Sequence, residues 1–211
     1  MIVSLLVESS ALLVVGPALT QAKSQELIPK ASQEQGFDLI RQGRASDALK
    51  YFDALIQQDS LNVELLFGRA RALQDLDRKT EALQEYTLVI ASDPRHYKAW
   101  SNRGLVKGSL GDLEGALKDI SMSIKLNEGF AVGYLNRGVT YAALGKTNLA
   151  LSDFDQAIRL DAQYVDALRN RGITLEYQGN LQAACRDWLR ASALGDPDAM
   201  EWVKGQCKSK R

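Results

Sequence analysis

Few residues of this 211-residue chain have the types and the spacing that catalysis would need. The single histidine, His96, has no second histidine or cysteine at metal-ligand spacing and no candidate nucleophile beside it. Asp153 and Asp155 form a D-x-D sequence, but on a helix their side chains would point about 200° apart, towards solvent on either side of Phe154. We therefore predict no catalytic centre, no metal site and no cofactor, and we do not expect an enzyme.

Two cysteines, Cys185 and Cys207, could form a disulfide. If the protein is exported, an oxidising compartment would favour a bridge that holds the C-terminal helix, because terminal helices fray first. In a reducing compartment the pair would remain two separate thiols, one of them buried as a small hydrophobic side chain. The sequence alone leaves both alternatives open.

Three asparagines recur at a constant spacing of 34 residues, each within the sequence N-R-G: Asn102, Asn136 and Asn170. A side-chain amide offers two hydrogen-bond donors and an acceptor, so a stacked series of amides could bind a ligand. The alternative is a structural role, in which the asparagine makes a local cap and the arginine after it pairs between helices. Either role depends on how the repeated segments stack.

The same spacing extends over most of the chain and indicates a repeat architecture. Ala150, Phe154 and Ile158 lie four residues apart on one apolar helical face, and Gly145 lies before them at the place of a helix C-cap. Each repeat is therefore predicted to be a hairpin of two helices. From Pro29 the repeats follow one another without insertion, over residues 29–62, 63–96, 97–130, 131–164 and 165–198.

Three places in each repeat have a restricted choice of side chain. The eighth place is small: Gly36, Ala70, Gly104, Gly138 and Gly172. The twentieth place is always alanine: Ala48, Ala82, Ala116, Ala150 and Ala184. The twenty-fourth place is large: Phe52, Tyr86, Ile120, Phe154 and Trp188. We expect the eighth place to face the twentieth, so that the two helices approach closely, and the large side chain to pack between repeats.

These features resemble the tetratricopeptide repeat family, whose W-x2-L-G-x2-Y…A-x3-F…P pattern has the same period. The resemblance covers residues 29–198 and implies an all-α, right-handed superhelical solenoid of five helical hairpins, in which neighbouring hairpins bury each other's apolar faces. Asp196 and Pro197 are expected to begin a further helix. Residues 199–211 are then predicted to be a capping helix and a basic tail.

The resemblance also implies a concave groove, lined by the first helix of each repeat, that binds a peptide or helical segment of a partner protein. The asparagines would orient the ligand backbone, apolar side chains would supply most of the affinity, and an arginine would tune selectivity at the rim. The predicted partner-binding residues are Asn102, Asn136, Asn170, Leu105, Leu135, Val139, Ile173, Tyr177 and Arg169.

The fourth repeat is predicted to be the centre of this site. Its first helix, predicted over 131–144, is apolar on nearly all sides, so we expect a partner, a second copy of the chain or the N-terminal segment to cover it. The carboxylate clamp of the family is not expected, because Asp166 and Asn170 stand where that clamp requires lysine and arginine.

The charge balance argues against binding to nucleic acid. Lys+Arg and Asp+Glu both number 26, and no basic stripe is present to neutralise phosphates. The predicted partner is therefore a protein or peptide, and a homo-oligomer remains an alternative.

Residues 1–22 differ from the rest because they contain no lysine or arginine. The apolar run over 11–19 is too short to span a bilayer, but it fits the hydrophobic core of a secretory signal. We expect a signal peptide over 1–22, a linker over 23–28, and export to a periplasm, a lumen or the outside of the cell. The alternatives are an uncleaved anchor on a membrane-tethered assembly factor of a multiprotein complex, or a cytoplasmic protein.

Overall fold

The computed structural model describes residues 29–207, which form eleven α-helices and no strand. The helices are α1 Lys30–Arg41, α2 Ala45–Ile56, α3 Val63–Asp75, α4 Lys79–Ser92, α5 Tyr97–Ser109, α6 Leu113–Leu126, α7 Ala131–Ala143, α8 Thr147–Leu160, α9 Val165–Tyr177, α10 Leu181–Ala193 and α11 Pro197–Gln206. Consecutive helices pack against each other, and the first helices of the repeats also touch, α1 with α3, α5 with α7 and α7 with α9. The described chain is an all-α repeat solenoid. The predicted signal peptide, linker and basic residues 208–211 lie outside the described residues.

The turn inside each hairpin depends on one residue with a positive φ. In the fourth repeat this residue is Gly145, with φ 69°. Its amide donates to the carbonyl oxygen of Ala142, and the amide of Lys146 donates to that of Tyr141, both at 2.9 Å. These two bonds form a Schellman motif, which satisfies the last carbonyl groups of α7. In the second repeat Asp77 takes this place with φ 57°, a conformation that aspartate adopts more readily than most residues.

The glycine at the eighth place lies against the large side chain at the twenty-fourth place. A Cβ atom on Gly138 would be 2.6 Å from Cε1 of Phe154, and a Cβ atom on Gly172 would be 2.3 Å from Nε1 of Trp188. The expected contact with the twentieth alanine is seen in the third repeat, where a Cβ atom on Gly104 would be 3.0 Å from the main-chain oxygen of Ala116, although Ile120 at the twenty-fourth place is nearer, at 2.6 Å.

The large side chain also reaches the next repeat, as predicted. Phe52 lies between Gly36 of its own repeat and Gly68 of the following one, and Cβ atoms on these glycines would be 2.4 and 2.3 Å from Cζ of the ring. One aromatic ring therefore fixes both the spacing within a hairpin and the spacing between hairpins.

The buried apolar residues of the described chain form three clusters rather than one. The first belongs to repeats one and two and the start of repeat three, and the second to repeats four and five with α11. Between them lies a small cluster of Ala116, Ile120 and Ile124. Here the twenty-fourth place is Ile120 instead of an aromatic residue, and the buried Ser123 hydroxyl has no hydrogen-bond partner within residues 29–207. The third repeat is thus the least apolar junction of the solenoid.

The last helix, α11, covers the C-terminal end of the solenoid. As predicted, Asp196 is its N-cap, accepting a hydrogen bond from the amide of Ala199 at 2.7 Å, and Pro197 is its first residue. Trp202 packs on Trp188 with 5.1 Å between ring centroids.

Replacing Gly138 with alanine tests its contact with Phe154. Overpacking costs about 1–3 kcal/mol, while the better helix propensity of alanine offsets about 1 kcal/mol of that loss. We therefore expect Gly138→Ala to lower the free energy of unfolding, measured by chemical denaturation, by up to about 2 kcal/mol. Gly205→Ala is the matched control, because nothing else in the described structure lies within 4 Å of a Cβ atom there. Equal denaturation midpoints for Gly138→Ala and wild type would contradict this packing.

The structure joins Cys185 and Cys207 in a disulfide that links α10 to the end of α11, 22 residues apart in sequence. A loop of this size stabilises the fold by about 3 kcal/mol in the chain-entropy description. We expect non-reducing mass spectrometry to find the two cysteines in one linked peptide, and reduction to lower the unfolding midpoint. A Cys185→Ser/Cys207→Ser variant should show the same lower midpoint with and without reductant. Alkylation of both thiols before reduction would contradict the bridge.

Candidate binding surface

A row of arginines holds successive hairpins together. In the third repeat the guanidinium of Arg103 donates hydrogen bonds to both carboxylate oxygens of Asp119, at 2.7 and 3.0 Å, and a third to the hydroxyl of Thr87 in the preceding repeat. Corresponding contacts are made by Arg69 with Glu85 and Asp53, by Arg137 with Asp153 and Ser121, and by Arg171 with Asp187 and Asp155. Each arginine therefore connects the two helices of its own repeat with the second helix of the repeat before it.

The arginine of each N-R-G sequence is thus structural, which was the alternative role. A buried carboxylate needs such a partner to replace its lost hydration. The hydrogen bond to Asp187 raises the pKa of Arg171, so this guanidinium stays charged. The prediction that Asp153 and Asp155 are simply solvent-facing is wrong, because Asp153 is buried against Arg137 and Asp155 accepts a bond from Arg171 at 2.6 Å.

Asn136, predicted to face a ligand, lies in the interior. It is only 6% exposed, and its amide donates to the hydroxyl of Ser101 on the adjacent first helix at 3.0 Å. This bond joins α5 to α7 across the junction between repeats three and four. The predicted ligand role of Asn136 is corrected, since burial removes its side chain from the surface.

The other two asparagines are partly buried and have different partners. Asn102 donates to the hydroxyl of Tyr86 at 3.2 Å, and Asn170 donates to the main-chain oxygen of Asp166 in its own helix at 2.7 Å. The three amides therefore do not form a uniform ladder. Asn102 and Asn170 keep surface for a ligand, and their binding role stays a prediction.

The predicted apolar residues also differ in their exposure to solvent. Leu135 is 8% exposed and packs in the buried cluster of repeats four and five, so its predicted contact with a partner is corrected. By contrast Val132, Val139 and Ile173 are 36–40% exposed, and Tyr177 is 84% exposed. These four residues, here called the apolar row, lie on the adjacent helices α7 and α9.

Arg169 contributes to the C-terminal cap. Its guanidinium donates to Asp166 at 2.6 Å and to the buried N-cap residue Asp196 at 2.8 Å. It therefore connects α9 to the start of α11. Its side chain stays 29% exposed, so its predicted selectivity role stays a prediction beside this structural one.

A pocket of about 570 Å³ lies near the other end of the chain, mainly between α1, α3 and α5. Leu105 is part of this N-terminal pocket and does not belong to the apolar row, whereas Val132 lines the pocket and also belongs to the row. The full lining is Glu34, Phe37, Arg41, Glu64, Phe67, Arg71, Gln74, Lys98, Asn102, Leu105, Phe130 and Val132. Sequence reasoning centred on the fourth repeat missed it, although Phe37 and Phe67 occupy the ninth and fifth places, which the family resemblance assigns to the groove.

Metal binding and membrane insertion find no support in residues 29–207. No group of three or more histidine, cysteine, aspartate or glutamate side chains there could hold a metal ion. None of the described helices combines the length and the apolar character needed to cross a membrane.

Comparison with known proteins agrees with this architecture. A family model described as tetratricopeptide repeat matches residues 34–94 and 135–199, which together make up more than half of the chain. The chain belongs to the tetratricopeptide repeat family. No curated protein matches it in sequence.

Solved structures of tetratricopeptide repeat proteins share the fold at low sequence identity. The Thermus thermophilus protein TTC0263 superposes with a TM-score of 0.76 at 22% identity, covering 84% of this chain and 97% of that one. YrrB, described as a TPR protein with an unusual peptide-binding site, has a TM-score of 0.61 at 21% identity, and the match covers 87% of this chain and 94% of YrrB. MamA from Desulfovibrio magneticus RS-1 has a TM-score of 0.63 at 18% identity, and the match covers 85% of this chain and 97% of the MamA chain.

Alanine variants separate the structural asparagine from the surface one. Asn136→Ala leaves the buried Ser101 hydroxyl without its partner, so we expect a loss of about 1–3 kcal/mol in the free energy of unfolding. Asn170→Ala removes only a bond within one helix and should change stability by about 0.5 kcal/mol or less. Chemical denaturation of both variants measures the difference. Equal losses would contradict the distinct roles assigned to these two side chains.

Proposed function

We propose that this protein is a non-catalytic interaction scaffold that binds an extended or helical segment of a partner protein along its first helices. The observation that carries the proposal is the apolar row, which the described residues leave uncovered. Single exposed apolar side chains are normal on a protein surface. Here, however, four of them lie on two adjacent first helices, which is the arrangement of a surface that gains free energy when a partner excludes water from it.

The residues around the apolar row fit the same role. Leu135, Asn136 and Arg169 lie beneath or beside the row and fix the positions of α7 and α9 through buried contacts. Because the supporting side chains already have partners within the chain, the row can stay rigid without a ligand. A preorganised surface loses less conformational entropy on binding. YrrB, a structural neighbour titled as having a peptide-binding site, supports this proposal by analogy of fold.

We also propose that the protein works in an oxidising compartment after export. The disulfide between Cys185 and Cys207 supports this location, since such bonds persist outside the reducing cytosol. The bridge fixes α11 next to α10 and so protects the C-terminal end of the solenoid, close to the helices that carry the apolar row.

A peptide selection tests the apolar row directly. The full chain would select binders from a random peptide library, and fluorescence anisotropy would measure the affinity of the enriched peptides. We expect Val139→Asp/Ile173→Asp to weaken binding by about tenfold or more, because charges would replace the apolar contact. Leu88→Asp/Leu149→Asp is the matched control, since these leucines are 50% and 49% exposed but lie on second helices. Equal weakening by both pairs, or no enrichment of any peptide, would refute the proposed function.

A further inference from the structure

The N-terminal pocket differs chemically from the apolar row, although both lie on first helices. We infer that it binds an acidic side chain of an extended partner segment, with an aromatic or large aliphatic residue next to that acid. This inference rests on the proposed binding of a partner segment and assigns the chemistry of that segment at a second place on the same face. Four observations lead to it: apolar walls, cations without ion pairs, carboxylates that are already paired, and a fixed polar floor.

The walls of the pocket are aromatic and aliphatic. Phe37 and Phe67 lie with 6.1 Å between ring centroids, and the ring of Phe67 is also 4.6 Å from that of His96. Leu105, Phe130 and Val132 complete the apolar lining. The volume of about 570 Å³ is in the range of ligand pockets and has room for a large side chain together with a neighbouring polar one.

Three cations line the pocket, and two of them, Arg71 and Lys98, have no carboxylate partner among the described residues, whereas Arg41 is paired with Glu34 and Asp38. Within residues 29–207, no carboxylate lies within 4 Å of the guanidinium of Arg71 or the ammonium of Lys98. Lys98 only approaches the ring of Tyr97, at 6.0 Å from its centroid. Every N-R-G arginine is ion-paired or hydrogen-bonded to acidic side chains, so Arg71 is a different kind of arginine. A partly buried guanidinium of this type forms strong charge-assisted bonds with a carboxylate.

The carboxylates of the pocket, in contrast, already have partners. Glu34 lies 3.9 Å from Arg41, and Glu64 lies 3.6 Å from Nε2 of His96. The hydrogen bond with His96 is the main cause that lowers the pKa of Glu64, and the charge of Lys98 adds to it. A basic ligand would have to displace these contacts, whereas an acidic ligand could form ion pairs with Arg71 and Lys98, which have none within the described chain. Charge complementarity therefore favours an acidic partner segment.

At the floor of the pocket, hydrogen bonds join three polar side chains in a row. Asn102 donates to the hydroxyl of Tyr86, which donates in turn to Oε1 of Gln74 at 2.8 Å. Burial raises the pKa of Tyr86, so its hydroxyl keeps the proton that this second bond needs. The amide nitrogen of Gln74 and the amide oxygen of Asn102 have no other partner among the described residues. One donor and one acceptor therefore remain for the backbone of an extended segment.

A selection with internal peptides tests the inference. The library would be displayed with both ends covalently joined, so that side chains are the only source of carboxylate, and the full chain would be the bait. We expect wild type to enrich peptides with aspartate or glutamate within two positions of an aromatic or large aliphatic residue. Arg71→Glu should lose these peptides and enrich lysine or arginine there. Arg186→Glu, an exposed arginine on α10, is the matched control and should select as wild type does.

Affinity measurements on one selected peptide complete the test. We expect Arg71→Gln to weaken the binding of this peptide by about tenfold. A second peptide, with asparagine in place of its aspartate, should bind to the wild-type protein more weakly by the same factor. Circular dichroism would verify that both Arg71 variants fold. Enriched peptides without an acidic preference, or ones that Arg71→Glu binds unchanged, would overturn this inference. If those peptides still depended on Val139 and Ile173, the proposed function would stand, whereas no enrichment at all would overturn both.

Discussion

The solenoid depends on the close approach of a large side chain, aromatic in every repeat except the third, to a small residue of the facing helix, usually a glycine. At Phe154 and Trp188 the ring occupies the volume that a Cβ atom at Gly138 or Gly172 would need. Since the glycine is on the first helix and the ring on the second, this contact fixes the distance between the helices of a hairpin. Phe52 shows that the same ring also fixes the distance to the following hairpin. Stacking in one direction then produces a continuous face of first helices.

The charged residues follow from this packing. Once the helices are held at fixed distances, an arginine on each first helix from α3 to α9 can reach an acidic residue on both flanking second helices, as Arg171 does, or an acidic residue and a hydroxyl, as Arg137 does. These pairs use much of the acidic surface of the repeats for structure. The exposed apolar residues on α7 and α9, and Arg71 and Lys98 on α3 and α5, take no part in these ion pairs.

Much of the fold could be predicted from the sequence, because stacking repeats the same contacts every 34 residues and the sequence repeats with them. The candidate site could be predicted only in part. Asn102, Asn136 and Asn170 look equivalent in sequence, yet their partners are a phenol, a buried serine and a main-chain oxygen. The neighbours of each amide vary between repeats, and burial depends on those neighbours. For the same reason the N-terminal pocket was missed, since the ninth place changes from Phe37 in the first repeat to Arg71 in the second, and Phe67 lies at the fifth place.

The smaller, more polar junction at the third repeat lies between the two candidate surfaces. Most residues of the N-terminal pocket belong to the repeats before it and the apolar row belongs to those after it, while Val132 belongs to both surfaces. A partner segment that contacts both surfaces binds the second one intramolecularly, at an effective concentration set by the distance between them. That distance depends in part on the packing of the third repeat, in which Ile120 and Ser123 are fully buried. Avidity for a long partner would therefore depend in part on side chains that the partner does not touch.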